Sequence, residues 1–395
     1  MGDEYHALIK NDTWELVPRT DKKTIGCKWV FRVKRKPDGS VDRYKARLVA
    51  KGYLQEHGRD YFDMFSPVTK PATIRIILSL ALCHNWPLRQ LDVNNAFLHG
   101  TMHEKVYIVQ PLGNNTKYLD YFFARLGHTF SIKDLGMLHH FLGVEVVSTS
   151  SGIFLSKAQY IADILQQTKM GDAKPVHTPA GPKADLHEDA NSSPSDSMVY
   201  RRVVGLLQYL SITRPDLSFT VNRLAQFMHS PTEHQWQAVK RVLWYLKGTT
   251  FHGLFLRRGT PLVLTAYSDS DWGGVHDGGK STTGYVIYLG CNIISWRSVR
   301  QKSVARSSTE AEYRALVNTA AEVIWIQNLL VDLALDYFFV RDYVADGTLH
   351  VLHIRTKDQI ANVLTKPLGR TLFRYFRSKL GVFDGSSILR GRDKA

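Results

Sequence analysis

Between Lys28 and Leu48, basic and apolar residues alternate in a pattern that suits the gripping of phosphate. Trp29, Phe31 and Val33 face one way from an extended segment, while Lys28, Arg32 and Lys34 face the other with Val30 among them. Pro37, Asp38 and Gly39 supply a turn, and on the return Tyr44, Ala46 and Leu48 alternate with Arg43, Lys45 and Arg47. This predicts a hairpin with one face for a core and a second face carrying six cations, with only Asp42 nearby. Such a row binds a polyanion because each neutralised phosphate releases counterions. The bland reading is a solvated sheet face. The net charge of +15 is concentrated: residues 19–51 hold twelve Lys and Arg against three Asp, and residues 366–395 hold eight against two. These two regions account for the whole excess, so a nucleic-acid partner is favoured for the first; a basic tail is an equal reading of the second.

The elements that must position these residues follow from composition and periodicity. A chain of 395 residues, 44% hydrophobic and 22% charged, can build two or three globular domains. Its apolar runs, such as Ile76 to Cys83, fall short of the ~20 residues that cross a bilayer, and MGDEYHALIKNDTWELV lacks the pattern of a signal peptide. An intracellular protein of the cytoplasm or nucleus, without a membrane partner, is expected. Cys27, Cys83 and Cys291 are odd in number and far apart, which argues against a disulfide framework or a zinc site. The pattern predicts an apolar helix over 73–85, a strand over 88–98 leading into a second helix, and a turn-rich join at 112–116. A helix over 118–126, a turn at KDLG (133–136), strands near 138–147 and 152–155, and a helix over 157–168 follow. Residues 171–199, with four prolines and many Ser, Asp and Ala, read as a linker. Ser230, Pro231, Thr232 and Glu233 have capping-box spacing, and Trp236, Val239, Leu243 and Leu246 then share one helical face until Gly248. Strands LVLTAYSDS, GYVIYLG and NIISW, a helix from about Ser308 to Leu333, a strand LHVLHI and a helix opened by Thr356 complete the pass, with no internal repeats.

Several segments together carry a resemblance: KWVFRVKRKPDGSVDRYKARLVAKGY, QLDVNNAFLHG, KDLGMLHHFLGVEV, YSDSDWGG, ARSSTEAEYRAL and DQIANVLTKPL. In this order they resemble the reverse transcriptase and ribonuclease H region of copia-type long-terminal-repeat retrotransposon Pol polyproteins. The resemblance implies an α+β architecture. It would comprise a partial fingers and palm reverse transcriptase over 1–170, a linker over 171–199, a helical thumb or connection over 200–260, a ribonuclease H-like mixed α/β domain over 261–380, and a basic tail over 381–395. It also implies Mg²⁺ or Mn²⁺, with RNA, DNA or RNA·DNA hybrid and deoxynucleoside triphosphates as partners. Lys45 and Arg47 would contact triphosphate or template, Asp92 with the Val93 carbonyl would hold metal, and Phe97 would exclude a ribose 2′-hydroxyl. In the ribonuclease H part, Asp269 and Glu312 match the first two metal carboxylates, with Asp271 a less favoured choice and Glu310 capping the helix at Ser307. Taken alone, Asp92 reads equally as a helix cap and Phe97 as core.

The sequence departs from the family pattern at three places. The chain passes from VYIVQP directly to LGNNTKYLDYFF at Pro111 and Leu112, where the family carries a Tyr-x-Asp-Asp hairpin, and no two adjacent aspartates follow in the remaining 295 residues after Gly100. One carboxylate cannot bridge two divalent cations about 3.5–4 Å apart. Glu188 with Asp189, and Asp120 alone, are poor substitutes. A second gap falls near 333–336, where the third nuclease carboxylate belongs and Asp332 or Asp336 stand nearby. At the fourth position Asn362 replaces an aspartate, so metal binding is expected to weaken. The expectation is a remnant that binds nucleic acid without catalysis. The alternatives are an active enzyme whose segments are missing from the gene model or supplied by a partner chain, and a non-catalytic structural or regulatory nucleic-acid-binding protein.

Overall fold

The computed structural model describes residues 17, 24–35, 41–50, 69–93, 132–181, 186, 193–273, 278–332 and 354–392. Phe97, the 111/112 join, the expected helix over 118–126 and most of LHVLHI lie outside the described residues. Contacts divide the chain into two compact units, residues 1–68 with 89–137, and residues 69–88 with 138–395.

The first unit contains the expected hairpin. Strand β1 (Cys27–Arg35) pairs antiparallel with β2 (Val41–Ala50), from Cys27 opposite Ala50 to Arg35 opposite Val41. The predicted apolar face is not covered: Phe31 is 65% and Val33 48% exposed. A two-stranded ribbon has no second layer of its own to bury them. Strand β3 (Arg89–Val93) pairs antiparallel with β4 (Ile132–Met137). KDLG is therefore strand rather than turn, because the ladder to β3 outweighs the turn preference of Asp and Gly.

In the second unit, Pro71 at the first helical position opens α1 (Pro71–Cys83). Its Ile76 and Leu80 are buried with Tyr285, Ile287, Leu289, Ile294, Val323, Ile326 and Leu330. Short β5 (His140–Phe141), β6 (Val144–Thr149) and β7 (Gly152–Ser156) lead into α2 (Ala158–Gln167). Asp196 caps α3 (Ser197–Tyr209) by accepting from the Met198 and Val199 amides at 2.8 and 3.1 Å. Next come α4 (Ser218–Ala225) and α5 (Glu233–Lys247). The capping pair of α5 is Thr232 with Gln235, not Ser230 with Glu233: the Thr232 amide donates to Gln235 Oε1 at 2.6 Å. Val239, Leu243 and Leu246 of α5 are fully buried, as the periodicity requires.

Strand β8 (His252–Arg257) joins a five-stranded antiparallel sheet of order β12-β8-β7-β6-β5, in which β12 is Val382–Asp384. A second sheet, β11-β10-β9, is built from β9 (Leu264–Ser270), β10 (Thr282–Leu289) and β11 (Asn292–Arg300), and α6 (Ser308–Asp332) packs on it. Among the described residues this sheet has three antiparallel strands; the candidate strand LHVLHI lies largely outside them. Thr356 does not open a helix. Gln359 is instead the N-cap of a short 3-10 turn, Ile360–Leu364.

Two expectations about boundaries give way to packing. The 171–199 segment lies within the second unit, with Leu186 and Thr178 buried. Gln235 of α5 donates to the Leu186 carbonyl at 2.6 Å, and Arg241 donates to Thr178 at 2.9 Å. Proline-rich composition produces a loop here, but α5 pins it down. The basic C-terminal stretch is likewise folded into α7 (Arg370–Lys379), β12 (Val382–Asp384) and α8 (Ser386–Arg392). Phe373, Phe376, Leu380 and Val382 are buried in one hydrophobic cluster with Val146, Leu207, Leu243 and Leu254. Such burial contributes about 1.5–3 kcal/mol for each large side chain, which outweighs the solvation of the flanking cations.

A buried polar network ties these parts together. Arg214 and Asp216 are 0% and 1% exposed. The Arg214 guanidinium donates to both Asp216 oxygens at 3.0 and 2.8 Å and to the Thr249 carbonyl at 3.1 Å. Tyr245 donates to Asp216 at 2.6 Å, and Arg377 of α7 donates to the Tyr245 hydroxyl at 3.1 Å. Burial pushes the Asp216 carboxyl up, but the Arg214 charge and the hydrogen bonds from Arg214 and Tyr245 together outweigh it and hold the pKa below the ordinary value.

Candidate functional site

Asp269 stands near the end of β9, opposite Gly284 of β10. A glycine is needed there because a Cβ would come within 2.7 Å of Thr365 Cγ2 and 2.9 Å of Leu364 Cβ. This close approach carries the Ile360–Leu364 turn over the sheet and delivers two side chains to the carboxylate. The Thr365 hydroxyl donates to Asp269 Oδ2, and Lys366 Nζ lies 3.7 Å from the same oxygen. Neither was assigned a role from sequence, although TKPL stood within a quoted motif; 97 residues separate Lys366 from Asp269, and spacing along the chain gives no sign of the pairing.

Glu312 is exposed on α6. Glu310 does act at the helix start: its Oε2 accepts from the Arg306 amide at 2.7 Å, and its own amide donates to Ser307 Oγ at 3.1 Å. That backbone bond, followed by the Arg314 charge at 2.5 Å, holds its carboxyl below the usual range. The Asp271 carboxylate accepts from the Thr282 amide, which ties it to β10. Asn362 is 1% exposed; its Nδ2 donates to the Thr356 carbonyl at 2.7 Å, while Oδ1 is buried without a partner.

A divalent metal pair does not fit these residues. The Lys366 ammonium lies 3.7 Å from the Asp269 carboxylate, Asn362 contributes no charge, and its unpartnered oxygen is a single neutral ligand. Among the described residues no group of three or more His, Cys, Asp or Glu side chains could hold a metal ion. Cys27, Cys83 and Cys291 are not joined in disulfides.

In the first unit, the β3–β4 register sets Lys133 opposite Asp92 and Ile132 opposite Val93. The β1–β2 register sets Arg32 opposite Lys45, Lys34 opposite Arg43 and Val30 opposite Arg47, and Lys28 and Arg47 are exposed. Directly opposed residues of an antiparallel pair share a face, so like charges are concentrated on one side, an arrangement that destabilises a hairpin unless anions are bound. Among the described residues, no helix is long and apolar enough to cross a membrane.

Comparison with known proteins adds an independent line. The family profile described as reverse transcriptase (RNA-dependent DNA polymerase) matches in two pieces, residues 11–120 and 113–182. The chain is similar to the retrovirus-related Pol polyprotein from transposon RE1 of Arabidopsis thaliana, at 41% identity over 97% of this chain and 33% of that protein. It is similar to the polyprotein from transposon TNT 1-94 of Nicotiana tabacum at 32% identity, over 97% of this chain and 37% of that protein. A putative transposon Ty5-1 protein of Saccharomyces cerevisiae is 34% identical over 57% of this chain and 74% of its own length. The chain thus spans about a third of the length of the two larger relatives. The RE1 alignment runs over 489 positions; 97% of 395 residues is about 383, so about 106 positions face no residue here. No solved structure matches the chain.

Proposed function

Since the chain belongs to the copia-type retrotransposon Pol polyproteins, we propose that it is a remnant of their reverse transcriptase and ribonuclease H region that binds nucleic acid without catalysing polymerisation or cleavage. The observation that carries this reading is that the family match falls into two pieces, overlapping at 113–120, next to the Pro111–Leu112 join where the carboxylate hairpin would stand. Polymerisation needs several carboxylates against the charge of a triphosphate and two cations, and Asp92 alone supplies one. In this reading 200–260 corresponds to the helical thumb or connection and 261–380 to the ribonuclease H part. Asp269 and Glu312 are what remains of its ligand set, with Asn362 in place of an aspartate and Lys366 compensating Asp269. The Lys28, Arg32, Lys34, Arg43, Lys45 and Arg47 face would carry the nucleic-acid contact, by charge rather than by base reading.

Primer extension and hybrid binding by the purified chain test this. The expected outcome is no Mg²⁺-dependent extension, together with binding to RNA·DNA hybrid that weakens steeply with salt. Six engaged cations would give a log–log slope of roughly −5. Magnesium-dependent extension by this chain alone would overturn the proposal. Sequencing the transcript across codons 111–112 and 333–336 then separates a true deletion from a misassembled gene.

A further inference from the structure

Within the second unit, between the helices α1, α3 and α4 and the β9–β11 sheet, lies a cavity of about 450 Å³. Small-molecule sites span about 300–1,000 Å³. Three cations and one carboxylate line it: Lys70, Arg75, Arg297 and Glu322. Arg75 is a fixed charge. It is 4% exposed, donates from Nε to the Ile294 carbonyl at 2.8 Å and from Nη1 to the Ile212 carbonyl at 2.9 Å, and lies 3.7 Å from the centre of the Trp296 ring. Glu322, which accepts from the Ser295 hydroxyl at 2.9 Å, offsets one of the three cations, so the lining keeps a net positive charge.

The cavity also gathers polar atoms that the fold leaves unused. Ser218 Oγ, Asn222 Nδ2 and Ser298 Oγ are each buried without a hydrogen-bond partner. Ser218 and Asn222 stand one turn apart on the same face of α4. An amide nitrogen can only donate, and a hydroxyl donates as readily as it accepts. A buried polar atom without a partner destabilises the fold, so three around one cavity indicate a guest with several acceptor oxygens. The start of α1 adds to the same preference, since Lys70, Pro71 and Ala72 line the cavity and no side chain caps that helix end or places an acid in its first turn. The volume exceeds what inorganic phosphate fills, and the Leu217 and Val221 walls favour contact with carbon.

We propose that this cavity binds a small organic phosphate, with the anionic group drawn to Lys70, Arg75 and Arg297 and a hydroxylated body hydrogen-bonded by Ser218, Asn222 and Ser298. The experiment is calorimetric titration of the full chain with ribose 5-phosphate, inorganic phosphate and ribose. Ribose 5-phosphate should bind saturably and more tightly than inorganic phosphate, and ribose should not bind. Lys70→Met and Asn222→Leu should each weaken ribose 5-phosphate roughly tenfold, a change of 1.4 kcal/mol, without lowering Tm. Absence of saturable binding by either phosphate would overturn the proposal, as would binding that survives both substitutions. A higher Tm for Asn222→Leu with no binding by the unaltered chain would identify the three unpartnered atoms as a packing defect.

Discussion

Replacing Arg214 by Met tests whether the helices and the C-terminal segment form one cooperative unit. The substitution removes four hydrogen bonds, two to Asp216 at 3.0 and 2.8 Å and two to Thr249 at 3.1 and 3.0 Å. It leaves the Asp216 carboxylate 1% exposed, with the Tyr245 hydroxyl as its remaining close donor. Breaking one side of a buried pair costs about 3–5 kcal/mol, mostly because the surviving charge is uncompensated. A unit of this size loses roughly 2–4 °C of Tm per kcal/mol, so a fall of about 6–20 °C is expected. Two further readings follow from the same physics. Arg214→Met with Asp216→Leu should recover much of the loss, because no charge is then stranded. In the single variant burial is opposed only weakly, so the folded-state pKa of Asp216 rises above its unfolded value and the deficit against the unaltered chain shrinks as pH falls. Scanning calorimetry of the full chain at pH 7 and pH 5 measures both. A loss below about 1 kcal/mol, or a second transition for residues 200–392 that ignores the substitution, would refute the single shared core.

His252 gives a second handle. Burial first, then the Arg377 and Arg214 charges, pull its pKa from 6.5 to about 4. The folded state therefore keeps it neutral while the unfolded chain protonates below about pH 6.5, so stability present above pH 6.5 is lost as pH falls toward 4. Discounted for partial exposure, the loss is about 1–2 kcal/mol, and His252→Gln should flatten the Tm profile over that window; parallel profiles would show that another group titrates. At the carboxylate site, Mn²⁺ titration followed by electron paramagnetic resonance should find weak binding in the unaltered chain and at least roughly tenfold tighter binding in Asn362→Asp with Lys366→Met, the equivalent of about 1.4 kcal/mol. Equal affinities would dissociate Asn362 from the Asp269 site. For the hairpin, Arg32→Glu with Lys45→Glu should lower hybrid affinity at low salt and reduce the salt slope by about 2, read by fluorescence anisotropy; an unchanged slope would move the interface elsewhere.

Local periodicity was readable wherever one face of an element is buried against a neighbour. The α5 stripe at Val239, Leu243 and Leu246 and the β9, β10 and β11 strands follow from sequence because their side-chain period matches the buried face. The hairpin was also legible, but not the exposure of Phe31 and Val33, since alternation tells which residues share a face and not whether anything covers it. Composition describes solvent preference on average, whereas a few contacts decide docking. The spacing of Phe373, Phe376 and Leu380 within RTLFRYFRSKL is an amphipathic signal that the count of cations obscured. KDLG was misread because turn chemistry is local and the β3 partner is about 40 residues away.

The candidate site follows the same logic at the level of charge. Asp269 can be picked out from YSDSDW, but its state depends on what crosses the sheet beside Gly284, and there the chain brings a hydroxyl and an ammonium. Two unit charges 4 Å apart attract by about 4 kcal/mol at an effective dielectric near 20, and less where water reaches them. A carboxylate so compensated must give up that attraction before it can bind a cation, and a lone carboxylate has no second ligand to offset the loss. If Asp269 is compensated by Lys366, folding should be indifferent to divalent ions: Tm in excess chelator and in millimolar Mg²⁺ should coincide. An intact two-metal centre behaves differently, because crowded carboxylates repel one another until metal arrives. A Tm that rises with Mg²⁺ concentration would therefore reveal uncompensated acidic charge and contradict the loss of catalysis proposed for this chain.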